Sequence, residues 1–342
     1  MSNKIRPRIT PEEYEIVKKA RRIEAEARKS GLNPSDVKSM WIKDKHSFYV
    51  PNPGYKAAEH KEFHKHLVEL VETHRGSPGR SNVRNELKNP KLLLIDPADI
   101  HIGKLASAFE TGEEYNSEVA INRVHEGVDG ILKKAKGIDI DRIVFVAGND
   151  ILHVDGNKNA TTKGTPQQTD VMWYDAFLKA MKLYMDILKK LIKIADVEYV
   201  HCMSNHDYVN GWMLSQCVEA YFKNHSNITF DTSPKHRKYL RYGENLIGLS
   251  HGDGAKAKDM PLLMANEAKH WWANTTHKYI YTHHVHHKTA KDYPGVTFES
   301  LRSPSAADSW HHIKGYQHAP MAVEGFVHDP EYGQEMRISH FF

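Results

Sequence analysis

Lys91-Leu92-Leu93-Leu94-Ile95-Asp96-Pro97-Ala98-Asp99-Ile100-His101 is an apolar run that ends in a carboxylate and an imidazole one residue apart. A continuous apolar stretch of this length is how a strand buried on both faces reads. Chemistry in open α/β sheets sits past the carboxyl ends of the strands. The same sentence recurs four times further along the chain. Ile143–Val146 leads to Gly148-Asn149-Asp150, and Val197–Val200 leads to Ser204-Asn205-His206-Asp207. Leu246–Leu249 leads to His251-Gly252-Asp253, and Tyr279–Tyr281 leads to His284-Val285-His286. Amphipathic patterns over about 117–136 and 171–194 separate several of these runs. The second carries Phe177, Met181, Tyr184, Leu188 and Leu191 on one face, the pattern of a core-facing helix. Strands alternating with helices predict an α/β body over residues 91–342.

Any one of these polar residues could be a buried, hydrogen-bonded side chain. Their order is more informative than their identity. Carboxylates, imidazoles and one carboxamide delivered from five strand ends form the donor set of a two-metal hydrolytic centre. Asp99 and His101 are alternate residues, as are His284 and His286, so in an extended segment each pair shares a face.

The bulk properties set limits. With 342 residues, a main domain plus a smaller appendage is expected. The hydrophobic share of 40% and charged share of 26% are those of a soluble globular chain. No apolar run reaches membrane-span length, and no apolar signal core opens the sequence, so a cytoplasmic protein is expected. Two cysteines exclude a disulfide framework, and Cys202, inside an apolar run, reads as a small buried side chain. The 24 histidines are the compositional outlier, and many fall after residue 200.

Residues 1–90 carry 19 Lys and Arg against 12 Asp and Glu, which leaves the rest of a +4 chain mildly acidic. A basic leading segment on an acidic body suggests contact with a polyanion, although lysine-rich helical faces are often merely solvated. Thr10-Pro11-Glu12-Glu13 is a helix start, and Asn33-Pro34-Ser35-Asp36 begins a shorter helix. Trp41 and Phe48-Tyr49-Val50 read as a short strand or packed turn, and a further helix covers about 57–74. Residues 1–75 thus form a small basic helical region. It is either helix-turn-helix-like or a packing and oligomerising module. Breaker-rich residues 76–90 form a linker.

The ordered set over residues 91–290 resembles the calcineurin-like metallophosphoesterases, whose pattern is D-x-H, G-D, G-N-H-D/E, H and G-H-x-H. The resemblance implies a four-layer α/β/β/α sandwich. It implies Asp99, His101, Asp150 and His286 on one metal, and Asp150, Asn205, His251 and His284 on the other. It casts His206 as the imidazole that assists the leaving oxygen, held by Asp207. Two divalent ions would activate water for attack at phosphorus. The mixed donor set favours Mn²⁺, with Fe, Zn²⁺ or Mg²⁺ as alternatives. Gly148-Asn149-Asp150 departs from the pattern, so Asn149 is an alternative to Asp150 as the bridge. A neutral amide bridges two dications poorly. Ser204 and His283 replace usual glycines, and His283 and His287 offer other registers for the last motif.

Asp150-Ile151-Leu152-His153 resembles a run in the double-strand-break-repair nucleases of this superfamily, which implies His153 near the scissile phosphate. Arg237 and Lys238 are candidate phosphate contacts. In the tail, Arg302, Asp308, Trp310, His311, His312 and Tyr316 either line a substrate channel or pack over the sheet. Glu324–Val327 and Met336–Ser339 read as strands completing the second sheet. The expected activity is that of a DNA-hydrolysing phosphodiesterase. A phosphatase or cyclic-nucleotide phosphodiesterase, or a binding module with a structural metal, are the alternatives. DNA is the expected partner, no membrane is expected, and a homo-oligomer is possible.

Overall fold

The computed structural model describes residues 18, 21–28, 39–43, 47–51, 65, 69 and 87–342. The chain falls into two compact units, Met1–Glu69 and Leu70–Phe342. In the first, residues 21–28 are helical, and Ile23 and Ala27, one turn apart, are buried. Strands β1 (Ser39–Lys43) and β2 (Ser47–Pro51) pair as an antiparallel hairpin, with Met40 opposite Val50 and Ile42 opposite Phe48. The unit is therefore not wholly helical. Within the expected 57–74 helix, Lys65 and Glu69 are helical and pair across one turn at 3.7 Å. The helix starts at Thr10–Glu13 and Asn33–Asp36, and linker residues 76–86, lie outside the described residues.

The second unit contains β3 (Lys91–Asp96), β4 (Ile140–Gly148), β5 (Asp196–Cys202), β6 (Ile228–Asp231), β7 (Lys238–Tyr242) and β8 (Asn245–Leu249). It continues with β9 (His277–Thr282), β10 (Thr289–Tyr293), β11 (Val296–Ser300), β12 (Ala322–Asp329) and β13 (Gly333–Phe341). Six strands form one sheet in the order β13-β12-β3-β4-β5-β6, with β3 to β6 parallel. The other sheet runs β10-β11-β9-β8-β7.

The apolar runs alternate between two cores. Leu92, Leu94, Val144, Val146, Val200 and Cys202 meet Leu240, Ile247, Leu249 and Tyr281 between the sheets. On the far side of the first sheet, Phe145 packs edge-on against Tyr184 of the 173–191 helix, ring centres 5.6 Å apart. On the far side of the second, Leu246, Ile280 and Phe298 pack on Met260, Met264 and Ala268. The result is the expected four-layer sandwich of helices, sheet, sheet and helices. Each fully buried Leu or Val adds roughly 1.5–3 kcal/mol to it.

The helices form for different reasons. Ser117–Lys134 starts at Asn116, whose side-chain oxygen accepts from the amides of Glu118 and Val119, both at 3.0 Å. Trp173–Leu191 has no side-chain cap. Its buried stripe, which includes Phe177, Met181, Tyr184, Leu188 and Leu191, supplies the stability instead.

One expectation fails. Glu324–Val327 and Met336–Ser339 do become strands, but they join the first sheet. β12 lies antiparallel to β3, with Phe326 opposite Leu94, and β13 lies beyond it. The pattern of a strand fixes which of its residues face inward, not which strand lies beside it. Burial of β12 from end to end suits its place between two neighbours.

Candidate metal centre

The loops that follow β3 and β4 stay zipped together after the strands end. The amide of Asp99 donates to the Asn149 carbonyl at 2.8 Å, His101 to Asp150 at 2.9 Å and Ile102 to Ile151 at 2.8 Å. His153 returns a bond to the Ile102 carbonyl at 3.0 Å. These bonds set Asp99 and His101 beside Asp150 and His153.

The backbone there is not extended, contrary to expectation. Asp99 and His101 have φ of 52° and 53°, and His284 and His286 have 71° and 57°. Asn149 and Asp150 are also left-handed, at 50° and 60°. Among the described residues only Asn159 and His318 share this conformation without being glycine. A non-glycine residue held there costs about 1–3 kcal/mol and persists only where its surroundings enforce it. Gly148 opens the turn at φ 79°, and a Cβ on it would lie 2.2 Å from the Cys202 carbonyl oxygen. No other residue fits.

Seven predicted ligands converge. Ligand atoms of Asp99, His101 and His286 lie within 4.8 Å of one another, and so do those of Asp150, His251 and His284. His101 Nε2 is 3.2 Å from His286 Nε2, which in turn is 3.6 Å from Asp99 Oδ1. His251 Nε2 is 3.2 Å from Asp150 Oδ2 and 2.9 Å from Asn205 Oδ1. The Asp150 carboxylate reaches this group, whereas the Asn149 carboxamide is buried without a hydrogen-bond partner and only its main chain bonds, to Asp99 and Cys202. His283 is committed elsewhere, its Nε2 lying 2.9 Å from buried Asp96. His287 turns to the Val285 carbonyl. The His284 and His286 register is the one that meets the other ligands.

Charge here is out of balance. Burial pushes Asp99 up to about 7, with nearby Asp150 adding to the rise and His251 opposing it. Burial lowers His101, His153 and His286, which keeps them as neutral imidazoles, the form that ligates metal. Burial would also lower His251, but Asp150 and Asp99 outweigh it and lift the ring to about 9. His251 Nδ1 is buried without a hydrogen-bond partner. Two crowded carboxylates and a ring of imidazoles with opposed lone pairs fit divalent cations better than they fit one another.

His206 is oriented by a group that the sequence did not suggest. Its Nδ1 lies 2.9 Å from the His153 carbonyl, which fixes the proton on Nδ1 and frees Nε2. Asp207, expected to hold this ring, bonds elsewhere. Its carboxylate accepts from Ser204 Oγ at 2.6 Å and from the Leu152 amide at 2.9 Å. Ser204 Oγ also accepts from the Asp150 amide at 2.8 Å. Asp207 and Ser204 thus clamp the Asp150 loop. His153 is buried, with Nδ1 3.5 Å from His101 Nδ1. Its ring centre lies 5.3 Å from that of His101 and 5.4 Å from that of His206, and the residue lines the cleft together with both.

A cleft of about 1,020 Å³ opens over these residues. Lys163 and Gln167 line it, as do Asp308, Trp310, His311 and Tyr316. Of the two readings of the tail, the structure takes the channel wall for these four. Arg302 is not with them, since it pairs with Glu324 at 2.8 Å. Buried Lys104, 3.3 Å from Asp308, was missed, because an isolated lysine after a loop carries no signal. Arg237 is not brought to the cleft. Its guanidinium forms a forked ion pair with Glu267, at 2.6–3.1 Å. Lys238 is buried against Asp231 and Ser233. Neither geometry supports a phosphate contact.

No protein-family model matches the chain, and no curated protein matches it in sequence. Solved structures do align with it. One is a novel archaeal phosphodiesterase, 7% identical over 74% of this chain and 99% of its own, with TM-score 0.32. Another is Vps29 of Entamoeba histolytica complexed with Zn²⁺, 10% identical over 73% and 98%, with TM-score 0.30. A third is a conserved Streptococcus pneumoniae protein described as a predicted phosphoesterase, 12% identical over 74% and 98%, with TM-score 0.29. Among the described residues, no helix is long and apolar enough to cross a membrane.

Proposed function

We propose that this chain is a metal-dependent phosphodiesterase that hydrolyses DNA. The observation that carries the reading is the meeting of Asp99, His101 and His286 beside Asp150, His251 and His284, at ligand-atom separations within 4.8 Å in each group. Two divalent ions held there, Mn²⁺ in preference to Fe, Zn²⁺ or Mg²⁺, would activate water and polarise the phosphoryl group. Asp150 is the natural shared ligand, because its two oxygens already face different partners, the His206 amide and His251 Nε2.

The chain's own residues do the rest. His206, with its Nδ1–H donated to the His153 carbonyl, would act in its protonated form, giving the Nε2 proton to the leaving oxygen and being left as the neutral ring. His153 positions both that ring and the ring of His101. The cleft volume of about 1,020 Å³ is generous for a small phosphomonoester and suits a diester with groups on both sides. The basic residues before position 90 supply charge for a polyanion. Free Cys202 and Cys217 accord with a reducing, cytoplasmic setting.

The deciding assay uses labelled linear and circular DNA with Mn²⁺, comparing the full chain with His206→Ala. Wild-type cleavage should fall about 10²–10⁴-fold in the variant. Intact DNA alongside rapid hydrolysis of a small phosphomonoester would replace the nuclease with a phosphatase.

A further inference from the structure

The wall over residues 308–319 is built, not draped. Asp308 caps the 309–314 helix by accepting from the His311 amide at 3.0 Å, and it also takes the His311 ring Nδ1 at 2.6 Å. The buried Lys104 ammonium supports the same carboxylate. Gly315, left-handed at φ 75°, closes the helix, and the Tyr316 amide returns to the His311 carbonyl at 2.9 Å. Ser309 and Gln317 pin the wall to Glu110 and Thr111.

This held frame exposes aromatic surface. Trp310 is 52% exposed and Tyr316 66%, with ring centres 5.7 Å apart. Ordered aromatics left in water beside a cleft mark a binding surface. They are connected to the metal ligands by a short chain of rings. Trp310 meets His311 edge-on at 5.1 Å, and His311 stacks on His286 at 5.1 Å. The wall's one carboxylate, Asp308, is already paired, and His311, His312, Lys314 and His318 surround it in sequence. The surface therefore offers flat aromatic faces without free negative charge, one ring beyond His286.

We infer that Trp310 and Tyr316 form a stacking platform for an unpaired nucleobase flanking the scissile phosphate, so that the substrate is a single-stranded or frayed nucleic-acid end. This rests on the phosphodiesterase reading above. A base paired inside a duplex has both faces occupied by its neighbours, and an aromatic wall reads only a base taken out of that stack. Stacking of this kind is tolerant of base identity. It makes Trp310 a specificity residue without a part in the bond-breaking step.

Two chromogenic diesters with the same leaving group separate the possibilities: thymidine 5′-(4-nitrophenyl phosphate) and methyl 4-nitrophenyl phosphate. Wild type should favour the nucleoside diester. In Trp310→Ala the preference should collapse through KM, by about 5- to 100-fold. Turnover of the methyl diester should change less than about threefold, and Trp310→Phe should restore most of the preference. A second readout needs no turnover. Fluorescence anisotropy of a labelled oligothymidylate in EDTA should show weaker binding to Trp310→Ala by a similar factor.

Equal losses on both diesters, or a Trp310→Phe variant as poor as Trp310→Ala, would overturn the platform and make the wall structural. So would wild type that does not distinguish the two diesters, whose hydrolysis would still leave the phosphodiesterase standing. If wild type cleaves neither, the phosphodiesterase reading fails, and unchanged oligothymidylate binding in Trp310→Ala then removes the platform as well.

Discussion

The floor and the roof of the cleft are held by opposite means. The floor is a set of strand-end loops in which six residues sit in left-handed backbone, four of them (Asp99, His101, Asn149 and Asp150) buried. The roof is a capped helix in ordinary conformation whose aromatics face water. Strain in the floor is tolerated because two parallel strands and their zipped loops over-determine it, so it can hold charged groups that repel one another. The roof pays no such cost. Its contact with the floor is the His311 ring stacked on that of His286, with centres 5.1 Å apart.

The most forceful way to break this contrast is to remove the Asp150 carboxylate from the floor. Asp150→Ala should abolish hydrolysis, beyond about a thousandfold, and elemental analysis should show loss of bound divalent metal. Retained metal with lost activity would demote Asp150 from ligand to substrate contact. Roof substitutions, by contrast, should leave metal content unchanged.

Next in size is an acid effect seated beneath the floor. Burial pushes His201 down to about 3 from an ordinary 6.5, with the nearby Lys238 charge adding to it. Neither ring nitrogen has a hydrogen-bond partner. The folded value lies below the unfolded one, so the unfolded chain takes the proton first. Stability from this group is level above pH 6.5 and is lost as pH falls from 6.5 towards 3, by roughly 3–5 kcal/mol in all. Urea midpoints at pH 7 and pH 4 should separate by less in His201→Leu than in wild type. Equal separations would mean that the ring is protonated in the folded state.

The floor was legible in the sequence, and the roof mostly was not. The seven candidate ligands of the floor follow five strands within a few residues, so apolar run and polar terminus are read together. Their joint order predicts the four layers and the side chains that meet at the cleft. What escaped was the backbone: nothing in Asp99-Ile100-His101 announces left-handed residues in place of an extended pair. Also hidden was the partner of His206, a main-chain carbonyl, which has no sequence signature. The roof depends on Lys104 meeting Asp308 across some two hundred positions, and β12 on meeting β3. Such pairings are decided by packing, not by local pattern.

A smaller test reaches the clamp between two floor loops. Ser204→Ala removes a hydroxyl that donates to Asp207 and accepts from the Asp150 amide. A buried amide and a buried carboxylate each lose a partner, at a cost of about 1–3 kcal/mol. Metal affinity should fall about 10–100-fold, the range found for residues that orient ligands. Calorimetric titration with Mn²⁺ would check this. An unchanged affinity would show that the left-handed turn at Asn149 and Asp150 needs no clamp.

The least effect is expected where sequence reasoning misplaced a residue. Arg237→Ala severs a forked pair with Glu267 that also touches Tyr239 through its hydroxyl, 2.9 Å from the same carboxylate. The pair is partly exposed, with side-chain accessibilities of 29% and 34%. Solvent screening limits its worth to about 0.5–1 kcal/mol. Removing it leaves Glu267 bonded to Tyr239, so the 260–267 helix should stay docked on the second sheet. Cleavage of DNA and of both small diesters should remain within about twofold of wild type, because no atom of Arg237 lines the cleft. A selective loss on DNA, with the small diesters unaffected, would mean that a long substrate leaves the cleft along this face, and the guanidinium would then return as a distal phosphate contact.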